Sequence, residues 1–138
     1  MTGALLFASS AFAQMSPVGV WHSIDDKTGQ PKARIRISES AGALNGRIEK
    51  LLRKGANPDQ KCDECREERK GQPMVGLEII RGARKASDKD AWEDGKILDP
   101  ENGREYTLRL TPVEAGKKLD VRGSFGPFGR TQTWVRVE

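Results

Sequence analysis

The feature of this sequence that most restricts its fold is a succession of short segments with a strand-like pattern. The clearest segments, which alternate apolar and polar residues or are rich in β-branched residues, are 33–37, 106–110, 119–122 and 133–137. Successive side chains of a β-strand point to opposite faces, so alternation is typical of strands with one buried face. Weaker strand patterns occur at 18–24, 44–52, 75–80 and 96–98. The sequence therefore predicts eight strands.

Turn-forming residues separate most of these segments. The strongest turn signal is Asp99–Gly103, in which Pro100 fixes φ and the Asn102-Gly103 pair tolerates positive φ. Other turns are expected at 26–29, 39–42, 114–116 and 126–129. The residues from Ala83 to Trp92 are expected to form at most one short turn of helix.

Eight sequential strands joined mostly by short turns favour an all-β fold, a single antiparallel up-and-down barrel. In such a barrel the first and last strands pair, which removes the exposed sheet edges. The interior of an eight-stranded barrel is filled by side chains or holds one small ligand.

The length and charge of the chain restrict its function classes. A chain of 138 residues suits one domain. Its 24 basic and 20 acidic residues give a net charge of +4, and the basic residues are dispersed among acidic ones. Such a diluted charge steers partners weakly, so nucleic-acid binding is not expected and a solvated surface is favoured. No cofactor is expected, and a monomer is favoured.

The first residues differ in kind from the rest. Residues 1–14 carry no charge, contain an apolar run and include Ala11-Phe12-Ala13, a small-x-small site typical of signal peptide cleavage. We expect residues 1–13 to be a signal peptide and residues 14–138 to form the barrel domain, located in the periplasm or secreted. A basic start is missing, which leaves a truncated signal, a misplaced start codon, a first strand or a flexible tail as alternatives. No apolar run approaches the ~20 residues of a membrane span.

The chain resembles the bacterial domain-of-unknown-function family 2147, whose members are small exported proteins. The matching motifs occur in order along nearly the whole chain after residue 14: Gly19-Val20-Trp21, Asp25–Gly29, Asn45–Ile48, Cys62–Cys65, Gly95–Pro100 with Gly103 and Tyr106, Val121–Gly123 and Gly129–Arg136. The resemblance implies a lipocalin-like barrel. It implies no established function.

A second resemblance, to lipocalins, concerns the two ends of the chain. Lipocalins carry Gly-x-Trp near the first strand and a basic residue on the last strand that covers the indole. Here Gly19 and Trp21 match the first feature and Arg136 matches the second. The resemblance implies that Trp21 closes one end of the barrel and that Arg136 stacks on it, a contact worth ~0.5–2 kcal/mol.

The Cys62-x-x-Cys65 pair has three interpretations. In an exported protein two cysteines form a disulfide more often than they remain free, and this is the favoured interpretation. A redox pair requires an activated thiolate at a helix N-terminus, yet Arg66–Gly71 is polar and lacks an apolar helical face. A metal site would need further ligands, because zinc takes at least three from the protein. No metal site is predicted.

No catalytic residues are predicted. His22 is the only histidine, and on a strand it points away from the neighbouring Ser23. The scarce large aromatic groups and two arginines near the last hairpin are the candidate pocket residues: Trp92, Tyr106, Arg122, Phe125, Arg130 and Trp134. An arginine that points into a barrel selects an anionic head group, whereas one that points outward is solvated. Both alternatives stay open for Arg122 and Arg130.

The leading hypothesis is an exported lipocalin-like protein that binds a small, partly apolar molecule. The first alternative is a non-catalytic envelope protein, structural or interacting, whose barrel is filled. The second is a thiol–disulfide protein that uses Cys62 and Cys65. An open interior favours the first hypothesis, and a packed interior favours the envelope protein.

Overall fold

The computed structural model describes residues 15–138, which form a closed antiparallel barrel of eight strands in sequence order. The predicted signal peptide lies outside the described residues. The strands are β1 (Gly19–Ile24), β2 (Pro31–Ser40), β3 (Ala43–Leu51), β4 (Glu78–Lys85), β5 (Trp92–Asp99), β6 (Arg104–Val113), β7 (Lys118–Phe125) and β8 (Phe128–Arg136). The predicted fold class, an eight-stranded up-and-down barrel, is confirmed. The one helix among these residues is a single 3-10 turn at Glu67–Arg69, so none is long enough to span a membrane.

Alternation of side chains builds the core, as β2 shows. Ala33, Ile35 and Ile37 are buried, whereas Arg36 and Ser38 between and after them are exposed. The same pattern on the other strands directs apolar residues into one interior cluster, which includes Trp21, Leu44, Ile48, Ile80, Leu108, Leu110, Leu119 and Trp134. Burial of these side chains is the main stabilising contribution to the fold.

The fourth strand differs from its prediction. It begins at Glu78 and continues to Lys85, so most of it lies after the expected segment, and the residues up to Trp92 form no helix. Gly82 adopts φ 75°, which interrupts the alternation and lets Ile80 and Ala83 both be fully buried. The helical turn expected at 83–92 was wrong, because residues 83–85 continue β4 and residues 87–90 form bends that lead into β5.

The antiparallel order gives the barrel two unlike ends. The turns β2–β3, β4–β5 and β6–β7 lie at one end together with residues 15–18 and 137–138, and we call this the closed end. The turns β1–β2, β5–β6 and β7–β8 lie at the other end, together with the long connection 52–77 between β3 and β4. We call this the open end.

The connection 52–77 is folded against the barrel. The backbone N–H of Cys62 donates to the Gln72 carbonyl oxygen at 2.8 Å, and that of Gly71 donates to the Cys62 carbonyl oxygen at 2.9 Å. The buried Arg69 donates to the Glu78 carbonyl oxygen at 3.0 Å and to the Glu105 carboxylate at 2.7 Å. The connection is therefore tied to β4 and β6 and forms part of the open end.

Candidate functional site

The open end contains a cavity of about 710 Å³. Inward positions of the strands and the folded connection supply its apolar wall: Ala33, Ile35, Ile48, Leu51, Met74, Ile79, Ile97, Val121 and Trp134. Small-molecule sites in proteins are typically concave, mostly apolar and ~300–1,000 Å³ in volume. The cavity therefore has the size and the lining of a ligand site.

The entrance of the cavity is charged but balanced. Four basic and four acidic side chains line it: Lys32, Arg53, Lys61 and Arg130, and Asp63, Glu64, Asp99 and Glu101. Glu101 accepts ion pairs from Lys32 and Arg53, both at 3.3 Å. Arg130, from β8, pairs with Asp26 in the β1–β2 turn. Three of the four cations are thus already paired with acidic partners.

Two carboxylates of the open end are stabilised in their charged form: Glu101, and Asp25, which pairs with Arg53 at 3.1 Å. The pKa of Asp25 is lowered, first because the backbone N–H of Lys27 donates to the carboxylate at 2.8 Å, and further by Thr28 and Arg53. Burial raises the pKa of Glu101, but Lys32 and Arg53 together outweigh this effect and lower it. Both acids are therefore ionised at neutral pH, and the pairs at the entrance are intact there.

Polar groups inside the cavity are few and uncharged. Ser23 is buried, and its hydroxyl donates to the Ala33 carbonyl oxygen at 3.4 Å. Gln132 and Trp134 occupy inward positions two residues apart on β8, and both line the cavity. Trp134 is 3% exposed. Among the buried side-chain nitrogen and oxygen atoms of residues 15–138, its indole Nε1 has no hydrogen-bond partner.

Four of the six predicted pocket residues line the cavity. Tyr106 lies on β6, Trp134 and Arg130 lie on β8, and Phe125 lies at the end of β7. Phe125 and its cross-strand partner Phe128 stand at the entrance and are 73% and 75% exposed. The last hairpin therefore contributes several of the residues that surround the cavity.

The other two candidate pocket residues, Trp92 and Arg122, do not line this cavity. Trp92 is the first residue of β5, which starts at the closed end, and it packs half-buried under the Lys85 ammonium, 5.9 Å from the ring centroid. Arg122 lies between the inward Val121 and Gly123, so the pleat of β7 turns it outward. There it donates to the Thr131 hydroxyl at 3.3 Å.

Many residues of the cavity wall were not among those predicted from the sequence. Gln132 shares the inward parity of Trp134 and Arg130, and this signal was available. Met74 gave no such signal, since it belongs to the connection 52–77, whose fold against the barrel cannot be inferred from alternation.

The closed end is built around Trp21 and Arg136, which are direct neighbours on the paired strands β1 and β8. The Arg136 guanidinium carbon lies 4.2 Å from the centroid of the Trp21 ring. Arg136 also donates to the carbonyl oxygens of Gly116, Val18 and Ser16 at 2.6–3.0 Å. The Trp21 Nε1 donates to the Pro17 carbonyl oxygen at 2.8 Å. Both side chains are therefore structural.

Gly19 is required beside this contact. Its φ is 142°, a value that side chains disfavour. A Cβ atom there would come within 2.5 Å of the Arg136 guanidinium and 2.7 Å of the Glu138 carbonyl oxygen. A residue other than glycine would push the arginine away from the indole.

Cys62 and Cys65 lie at disulfide-bonding distance, with Cα atoms 5.4 Å apart, and both are buried. Cys65 follows Glu64, whose carbonyl oxygen would collide with a Cβ atom at Gly103 in the β5–β6 turn. Gly103 also adopts φ 74°, so glycine is needed for this close approach. The cysteine pair therefore fixes the part of the connection that packs on the β5–β6 turn.

The chain is similar to known proteins at the level of family and of fold. Residues 19–136 match the family model described as uncharacterized protein conserved in bacteria (DUF2147), which confirms the resemblance inferred from the motifs. The structure is similar to protein HP1028 from the human pathogen Helicobacter pylori, which belongs to the lipocalin family. The TM-score is 0.75 at 16% sequence identity, over 90% of this chain and 84% of that one. No curated protein matches the sequence.

Proposed function

Because the chain belongs to the DUF2147 family of uncharacterized bacterial proteins and has a lipocalin-like barrel, we propose that it binds a small, partly apolar molecule at the open end. The observation that carries this proposal is the cavity of about 710 Å³ with its apolar wall. An apolar wall that is in contact with water favours any apolar occupant of matching size, by ~25 cal/mol for each Å² removed from water.

Binding is tested with a neutral fluorescent probe, N-phenylnaphthylamine, and with native mass spectrometry of protein taken from its own host. The variant Ala33→Phe adds a ring inside the cavity wall and should lower probe affinity about tenfold, the equivalent of ~1.4 kcal/mol. Ser38→Phe adds the same ring to the exposed face of the same strand and is the matched control. Absence of both probe binding and a retained molecule would reject the proposal and favour the envelope protein with a filled barrel.

We also propose that the protein is not an enzyme. The burial of Cys62 and Cys65, 1% and 2% exposed, supports this, because thiol–disulfide exchange requires access to a thiolate. Alkylation of the native protein without reductant should leave both cysteines unmodified. Rapid reduction of the pair by glutathione, with turnover of a disulfide substrate, would contradict this.

Export is the third part of the proposal. It is supported by the uncharged segment before Gln14 and by a cysteine pair at disulfide distance, since disulfides persist in oxidising compartments. Protein recovered from the host periplasm or medium should begin near Gln14. Recovery of a cytoplasmic form that still begins at Met1 as the main product would contradict export.

A further inference from the structure

One residue of the cavity wall, Trp134, carries a buried hydrogen-bond donor that the rest of the described chain does not satisfy. The indole Nε1 of Trp134 is buried and has no acceptor within residues 15–138. An unsatisfied buried donor costs ~1–3 kcal/mol, and buried polar groups nearly always have a partner. The other buried indole, that of Trp21, has one in the Pro17 carbonyl oxygen. The contrast indicates that the partner of Trp134 comes from outside the protein.

The surroundings of Trp134 restrict the chemistry of that partner. Gln132, two residues away on the same inward face, has no hydrogen-bond partner for its side-chain amide among the described residues. The Ser23 hydroxyl uses its proton on the Ala33 carbonyl oxygen. Continuing the pairing of His22 with Val135 by one residue places Ser23 opposite Trp134. Uncharged donors and acceptors therefore meet in one part of an otherwise apolar wall.

The charges at the entrance do not favour an anionic ligand. The four basic residues that line the cavity are matched by four acidic ones, and Lys32, Arg53 and Arg130 are engaged in ion pairs. An anion would have to break these pairs or bury its charge among apolar side chains, which is costly. An uncharged ligand encounters neither obstacle.

We propose that the cavity selects uncharged amphiphiles with an apolar body and one hydrogen-bond acceptor, such as the carbonyl of an ester, which binds the indole N–H of Trp134. This inference rests on the proposed function, since it requires the cavity to bind small molecules at all. It adds the class of ligand and the residue that recognises it. In the bound state the indole of Trp134 turns so that its N–H faces the cavity and the carbonyl oxygen accepts from it. The amide of Gln132 supplies a second donor, and the apolar body contacts Ile35, Ile48 and Val121.

The test compares three molecules of one chain length: methyl decanoate, decanoate and decane. Each displaces N-phenylnaphthylamine from the wild type and from Trp134→Phe, which retains an apolar ring but has no N–H. We expect the ester to bind best to the wild type. Trp134→Phe should lower ester affinity about tenfold and change decane affinity less than about twofold, because only the ester loses a hydrogen bond. Trp92→Phe, at the closed end, is the matched control and should change neither.

The outcomes separate this inference from the proposed function. If no molecule displaces the probe and the probe itself does not bind, the proposed function is wrong. If the ester and decane bind equally and Trp134→Phe weakens both alike, the cavity is a ligand site but the indole does not recognise an acceptor. Tighter, salt-dependent binding of decanoate would overturn the inference in favour of anion recognition by the entrance cations.

A second measurement does not depend on the folding of any cavity variant. The chain has three tryptophans, so its ¹⁵N spectrum contains three indole signals. Methyl decanoate should shift the Trp134 indole proton downfield in the wild type, and decane should not. An unchanged Trp134 indole signal at saturating ester would reject the hydrogen bond.

Discussion

The barrel contains two buried tryptophans, one at the closed end and one in the wall of the cavity, and the two indoles have different surroundings. At the closed end Trp21 donates to a backbone carbonyl oxygen and its ring is covered by Arg136, which itself donates to three carbonyl oxygens. Trp134 instead lines the cavity that leads to the open end, and its N–H has no acceptor within residues 15–138. The closed end therefore stabilises the fold, whereas the open end leads to the cavity in which we propose that a ligand binds.

The largest effect on stability is expected for Trp21→Ala, which tests the difference between the two ends. Truncation of a fully buried tryptophan removes its packing and leaves a void, and we expect the free energy of unfolding to fall by ~3–5 kcal/mol in urea titrations. The control Trp92→Ala removes a half-buried indole at the same end and should cost clearly less. Equal losses for the two variants would mean that Trp21 has no special role in closing the barrel.

Arg136→Ala is expected to have the next largest effect. It removes the cation from the face of Trp21 and leaves three backbone carbonyl oxygens without this donor, so the free energy of unfolding should fall by ~2–3 kcal/mol. Arg136→Lys retains the charge but lacks the planar guanidinium, so it should recover only part of the lost free energy of unfolding. In a double-mutant cycle with Trp21→Ala, the two residues should show coupling of ~0.5–2 kcal/mol. Strict additivity would show that the contact contributes nothing.

The residues of the closed end were easier to predict from the sequence than those of the open end, for a physical reason. Gly19, Trp21 and Arg136 lie on the first and last strands, whose pairing follows from closure of the barrel itself. Seven of the eight strands lie close to their predicted positions, because alternation directly reflects the pleat. The fourth was displaced because the positive φ of Gly82 shifts the pattern.

The open end depends on features that alternation does not encode. Whether an aromatic residue reaches the cavity depends on which end of the barrel its strand begins at, and this excluded Trp92. The outward orientation of Arg122 follows from its buried neighbour Val121, a signal present in the sequence. The unsatisfied N–H of Trp134 has no sequence signal, because it depends on the positions of all neighbouring atoms.

Removal of the cysteine bridge should affect the open end alone. Cys62→Ser opens a short loop, so we expect a loss of ~1–2 kcal/mol in the free energy of unfolding. Amide hydrogen exchange should rise within residues 52–77 and in the adjacent turn at Gly103, while Trp21 and its neighbours stay protected. Cys65→Ser should reproduce this pattern. A rise in exchange at the closed end would show that the two ends are coupled.

Acidification should also loosen the open end first. The pKa values of Asp25 and Glu101 are lowered in the folded protein, so the unfolded chain binds protons that the folded one does not. Stability from these pairs is thus complete above the ordinary carboxyl pKa values and is lost as the pH falls through and below them. Hydrogen exchange between pH 5 and 3, about the range of ordinary carboxyl pKa values, should rise in residues 25–30 and 100–103 before the closed end. Asp25→Asn should remove part of the pH dependence of hydrogen exchange. If the variant and the wild type show the same pH dependence, the Asp25 carboxylate does not stabilise the open end.

The smallest effect on stability is expected for Phe128→Ala, and it provides the sharpest contrast between the two ends. Phe128 is 75% exposed at the entrance of the cavity, so its truncation should change the free energy of unfolding by no more than ~0.5 kcal/mol. The ring is nevertheless available to a molecule that enters or leaves the cavity, and the variant should release N-phenylnaphthylamine faster in stopped-flow measurements. Val135→Ala removes an exposed apolar side chain from the same strand near the closed end and should leave the release rate unchanged.

A loss of more than ~1.5 kcal/mol in the free energy of unfolding for Phe128→Ala would mean that the ring is packed in solution, because surface truncations cost far less. An unchanged release rate would mean that ligands enter the barrel by another route.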